Sequence, residues 1–230
     1  MIFNRITDLI FPRHCAACGR KLAPDEMGVC LRCHMELPRT DLFDNPCRNS
    51  LVDEYFMRAD IEKSAAFMYF TSDTRTANII YNLKYNGDAN VGVEMGRLMA
   101  QEVLQTHFFD DIDAMLPVPI TYKRFLERGY NQSEMLAKGI RKVTGLPIIT
   151  YALIRIRFEQ SQTSLSRDER IKNVEGAFRV VDDEALRNKH VLIIDDIITT
   201  SATTGECAKM LLTVPGCKVS ILSLGRTHNL

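Results

Sequence analysis

Residues 191–203 read Val-Leu-Ile-Ile-Asp-Asp-Ile-Ile-Thr-Thr-Ser-Ala-Thr, and no other stretch constrains the fold as tightly. Residues 191–194 are apolar without polar alternation, which describes a strand buried on both faces. Asp195 and Asp196 follow, so the strand delivers two carboxylates to a sheet edge. Thr199, Thr200, Ser201, Ala202 and Thr203 then lead into a helical pattern that runs to residue 212. Such a turn exposes backbone N–H groups at the positive end of the helix dipole, which favours a phosphate. The hydroxyls add hydrogen bonds, and the carboxylates suit the vicinal hydroxyls of a sugar. A double acid alone would be an ordinary capped turn. The ordered combination is what points to a ligand.

The rest of the chain alternates short apolar runs with helical spacing. Residues 65–70, 114–119, 152–156 and 218–224 read as strands. Ile79, Ile80 and Leu83 fit a helix capped by Asp73 and ending near Asn86 and Gly87. Val93, Leu98, Met99, Val103 and Leu104 fit a second helix, and residues 133–144 a third. This order gives an α/β class, a mostly parallel sheet flanked by helices, with ligands outside the carboxyl ends of the strands. Residues 157–176 are polar and read as a long loop. Cys207 and Cys217 fall in a helix and a strand as core residues.

Seven cysteines are present, and four are spaced C-x2-C-x11-C-x2-C: Cys15, Cys18, Cys30 and Cys33. Each pair can wrap a tight turn, and two turns close a tetrahedron around Zn²⁺. Gly19 suits the positive φ that follows the second thiolate. No ligand position needs to stay open, so the expected role is structural. His14 and His34 adjoin the ligands and read as exposed loop histidines. Cys47 has no near partner and reads as a spare thiol or the remnant of a second knuckle. Residues 1–50 are therefore expected to form a small zinc-ribbon module, and residues 51–230 the larger domain.

Formal net charge is zero, so bulk charge gives no support for nucleic acid or acidic lipid as partners. The distribution says more. Residues 120–180 hold twelve Lys/Arg against six Asp/Glu, whereas residues 1–119 hold twelve against seventeen. Anionic ligands would be drawn to the middle of the chain. No run approaches the roughly 18 apolar residues of a membrane helix, so no membrane insertion is expected. The first twelve residues are interrupted by Asn4, Arg5 and Asp8 and lack a signal-peptide cleavage site. They read as a short amphipathic helix ending before Pro12, and the expected location is the cytoplasm.

A second cradle is spelled by Pro117-Val-Pro119, Arg124, Arg128, Gly129, Tyr130, Asn131 and Gln132. Arginine grips phosphate through two parallel hydrogen bonds, and glycine lets the backbone approach. A plain charged surface loop is the competing reading. Lys84 is a further basic candidate at a helix end, where it could equally offset the dipole.

The 191–203 stretch resembles the signature of type I phosphoribosyltransferases. The resemblance implies that Asp195 and Asp196, as the catalytic acids, hold the ribose hydroxyls of phosphoribosyl pyrophosphate. It gives Thr199, Thr200, Ser201, Ala202 and Thr203 the 5′-phosphate, with Ser201 standing where many members have glycine. It places the pyrophosphate against Arg124, Arg128, Gly129, Tyr130, Asn131 and Lys84, with Mg²⁺ accompanying the ligand. Arg155, Arg157, Gln160, Ser161, Gln162, Arg167, Arg170 and Asn173 resemble the loop that closes over the leaving group. With the four-cysteine module, the whole set resembles the ComF family, bacterial proteins associated with DNA uptake in natural competence. That likeness implies handling of single-stranded DNA alongside DNA-uptake proteins. An active phosphoribosyltransferase on a base or amine acceptor, and a ligand-sensing regulator, are the alternatives.

Overall fold

The structure is a computed structural model, and it describes residues 12–156 and 174–227. The expected N-terminal helix and the closing-loop residues from Arg157 to Asn173 lie outside the described residues. Four parallel strands form the sheet in the order β1 (Lys63–Phe70), β6 (Lys218–Thr227), β5 (His190–Ile198) and β2 (Ala114–Pro117). An antiparallel ribbon of β3 (Leu153–Arg155) and β4 (Phe178–Val180) stands beside it. The α/β architecture expected from the alternating pattern is present.

The central strand β5 is buried over residues 190–194, as its unbroken apolar run requires. It is longer than expected, so Asp195 and Asp196 belong to the strand rather than to the turn beyond it. Pro117 of β2 pairs with Ile194, which sets the acid pair just past the end of the shorter neighbour.

The helices are α1 (Leu31–Met35), α2 (Ser50–Tyr55), α3 (Ala77–Tyr85), α4 (Ala89–Val103), α5 (Tyr122–Arg128), α6 (Gln132–Thr144) and α7 (Ala202–Leu211). Asp73 does not cap α3. It sits at φ 65°, the N-cap position is Thr76, and the Thr74 hydroxyl accepts from the Ala77 N–H at 3.2 Å. An extra turn therefore separates β1 from α3.

α6 has the signals of a well-bounded helix. Asn131 caps it, Glu134 lies in its first turn, Arg141 and Lys142 lie in its last, and Gly145 leaves it at φ 75°. It packs on α4 backbone to backbone. A side-chain carbon on Gly96 would collide with the Leu136 carbonyl, and one on Gly139 with the Val93 carbonyl. That close approach fixes where the N-terminus of α6 meets the ends of β2 and β5.

Candidate functional site

The four cysteines converge as their spacing predicts. Their sulfurs all lie within 4.8 Å of one another, and Cys18 Sγ is 3.8 Å from Cys30 Sγ. A tetrahedron with Zn–S bonds of about 2.3 Å has an edge of roughly 3.8 Å, so the group could hold such an ion. Gly19 and Gly28 turn through φ 73° and 63°. The Cys30 N–H donates to Cys15 Sγ at 3.2 Å. The knuckle is clamped to the larger unit, because Asn78 and Asn82 of α3 donate to the Ala17 and Ala16 carbonyls at 2.9 and 2.7 Å. His34 is no free loop histidine. It lies on α1 with Nε2 2.6 Å from Glu102 of α4, and Arg39 grips the same carboxylate with two nitrogens. His14 is exposed, as expected. Among the described residues, no other group of three or more His, Cys, Asp or Glu could hold a metal.

At the carboxyl ends of β2 and β5 lies a cleft of about 230 Å³. Asp195 and Asp196 line it together with Lys84, Arg124, Arg128 and Arg155. Lys84 Nζ stands 3.2 Å from Asp196 Oδ1. Asp195 Oδ1 accepts from the Ser133 hydroxyl at 3.3 Å and from the Asp196 N–H at 2.9 Å. Burial, and then the charge of Asp196, push the Asp195 carboxyl up to about 7 against the opposing pull of Lys84. The cleft thus holds an acidic pair with an ammonium against Asp196, and Arg124, Arg128 and Arg155 line the same cleft. Among the described residues no group of three or more His, Cys, Asp or Glu gathers at this cleft, so a Mg²⁺ ion here would share one or two carboxylates with the oxygens of a ligand.

The turn after β5 also borders the cleft, through Thr199 and Thr203. Ser201 takes φ 55°, the left-handed region that favours glycine, and its hydroxyl donates to Glu54 Oε2 at 2.6 Å. The side chain at the N-cap position of α7 therefore turns away from its own helix. It makes no capping hydrogen bond, and no acidic residue occupies the first turn. The leading N–H groups of a ten-residue helix are left without a side-chain acceptor. Behind the turn, Glu54 also accepts from Arg226 at 2.7 Å, and Arg58 donates to the Thr200 carbonyl at 2.8 Å. The buried Tyr55 hydroxyl lies 2.6 Å from that of Thr204. Helix α2 and Arg58 thus brace the whole turn.

This arrangement has relatives. DNA utilization protein YhgH of Escherichia coli strain K12 is 29% identical over 152 residues, covering 65% of this chain and 66% of the relative. Competence protein F of Haemophilus influenzae is 26% identical over 152 residues, covering 64% and 66%. Competence protein ComFC of Bacillus subtilis is 24% identical over 198 residues, covering 86% and 77%. The chain's homologues are competence and DNA-utilization proteins. The chain spans 66% of the length of the first relatives it matches. No family model matches. Among solved structures, the allosteric regulatory enzyme of purine biosynthesis aligns at a TM-score of 0.40 and 22% identity, over 59% of this chain and 26% of that one. Adenine phosphoribosyltransferase from Thermoanaerobacter pseudethanolicus aligns at 0.36 and 12%, over 76% and 99%.

In this chain the expected site residues divide into two sets. Asp195, Asp196, Thr199, Thr203, Lys84, Arg124 and Arg128 meet at one cleft. Thr200 meets Arg58 through its carbonyl, Ser201 is turned to Glu54, and Ala202 is buried as the first residue of α7. Gly129 ends α5 at φ 79°. Tyr130 donates to the Leu83 carbonyl at 2.9 Å. Asn131 caps α6 and donates to the Val118 carbonyl at 3.0 Å. These last three shape the loop rather than line the cleft. Sequence reasoning missed Ser133, Glu54, Arg58 and Arg226. None carries a local signal, because each acts across a long stretch of chain. No helix among the described residues is long and apolar enough to cross a membrane.

Proposed function

We propose that this chain binds phosphoribosyl pyrophosphate in the cleft at the ends of β2 and β5 and acts in the cytoplasmic handling of single-stranded DNA. The observation that carries the ligand is the convergence on one cleft of three parts. They are an acidic pair, four cationic side chains and the N-terminus of α7 with its cap turned away. Asp195 and Asp196 would hold the ribose hydroxyls, the turn at 199–203 the 5′-phosphate, and Arg124, Arg128 and Lys84 the diphosphate. Zn²⁺ at the four thiolates would have a structural role, locking the knuckle that rests on α3. The DNA role rests on the names of the relatives and on the positive charge of residues 120–180.

Titration calorimetry of the full chain with phosphoribosyl pyrophosphate and Mg²⁺, repeated with single-stranded DNA present, tests both halves. Binding is expected for the wild type and not for Asp195→Asn with Asp196→Asn. A change of affinity on adding DNA is expected from linkage between the two sites. An unchanged affinity in the double variant would overturn the site, and no binding by the wild type would overturn the ligand.

A further inference from the structure

Gln132 opens α6, and its placement leaves it little freedom. Asn131 holds the start of the helix by accepting from the Ser133 N–H at 3.1 Å. The glycine contacts between α4 and α6 leave no room for the helix to slide. The side chain is 1% exposed and lines the cleft beside Lys84, Arg124 and Arg128. Its Nε2 has no hydrogen-bond partner among the described residues. An amide donor left unpaired in a buried site costs stability, and native proteins seldom retain one without a reason. Packing offers none here, because an apolar side chain of the same length would fill the space without the cost. A bound acceptor would supply the missing partner.

Resting on the phosphoribosyl pyrophosphate reading above, we propose that Gln132 is a ligand-binding residue whose amide N–H donates to an anionic oxygen of the diphosphate. Its neighbours decide which half of the ligand it meets. Tyr130, two residues before it, donates to the Leu83 carbonyl next to Lys84, and Arg128 ends the helix just before, while the 5′-phosphate belongs to the turn before α7. A neutral donor also suits this position. Ser133, the next residue, bonds to Asp195, and a buried cation there would need its own counter-charge.

Gln132→Met keeps the length and removes the donor. In the full chain it should weaken phosphoribosyl pyrophosphate about 10- to 100-fold, the range for a hydrogen bond to a charged group. Ribose 5-phosphate, which lacks the diphosphate, should bind as it does to the wild type, and the melting temperature should not fall. Gln132→Glu, which sets a carboxylate against the diphosphate, should lose still more affinity for the first ligand. Equal affinity of Gln132→Met and wild type for phosphoribosyl pyrophosphate would overturn this assignment alone. Parallel losses for both ligands with a lowered melting temperature would also overturn it, by making Gln132 a packing residue. Failure of the wild type to bind phosphoribosyl pyrophosphate would instead overturn the reading on which the assignment rests.

Discussion

Two loops wall the cleft, and they are held in opposite ways. The loop before α6 holds itself and its near neighbours. Asn131 caps the helix that follows it and ties back to Val118, and Tyr130 reaches the end of α3. The turn before α7 is held from outside, with even its Ser201 hydroxyl spent on Glu54. It is pinned by α2 and by β6, through Glu54, Tyr55, Arg58, Arg226 and the Thr227 hydroxyl on the Thr199 carbonyl. The difference follows from what each must leave open. A self-capped helix spends its first N–H groups on its own cap, so a ligand there meets side chains. A helix whose cap is drawn away keeps those groups for an anion, and something else must then hold the turn.

Breaking the external brace should have the largest effect. Glu54→Ala leaves the buried Arg226 guanidinium without its carboxylate and frees Ser201. A loss of about 3–5 kcal/mol is expected, as for other buried pairs broken on one side, and urea unfolding would measure it. A loss under about 1 kcal/mol would mean that the turn is held by its own backbone.

A smaller effect is expected at Asp195, which bonds to Ser133 of one helix start and leads into the other turn. Its carboxyl stands near 7 in the folded protein against an ordinary 3.8, raised by burial and Asp196 and lowered by Lys84, the Asp196 N–H and Ser133. The folded state therefore holds the proton more tightly than the unfolded chain. The stability from this group is complete below about pH 4 and is lost as pH rises towards 7 and beyond. Asp195→Asn cannot titrate there. It should gain on the wild type between pH 5 and pH 8, by on the order of 2–3 kcal/mol. Parallel urea midpoints for the two proteins across that range would refute the shift.

The smallest effect sharpens the comparison. Ser201→Gly relieves a left-handed serine but loses the bond to Glu54. The backbone conformation costs about 1–2 kcal/mol and a hydrogen bond to a carboxylate contributes about 1.5–3 kcal/mol, so the net change should stay below about 2 kcal/mol. A larger loss would show that the hydroxyl contributes more to the brace than the backbone conformation costs.

Local pattern was enough for the parts that depend on neighbours in sequence. The cysteine spacing foretold a convergent thiolate group, and the apolar run before Asp195 foretold the central strand. It was not enough for Tyr130 and Asn131, whose side chains could serve a ligand or the loop. It also misplaced the cap of α3, where Asp73 and Thr76 are both plausible by residue type.

By itself the sequence determined the alternation of strands and helices, the parallel sheet, the thiolate group and the acids at the end of β5. These follow from periodicity, spacing and order along the chain, which are local quantities. Only the tertiary structure decided that Lys84 pairs with Asp196 and that Ser133 meets Asp195. It alone decided that Glu54, Arg58 and Arg226 hold a turn 142 or more residues away from the first two. Those choices depend on which helix packs on which strand end, and packing brings together residues whose separation along the chain carries no signal.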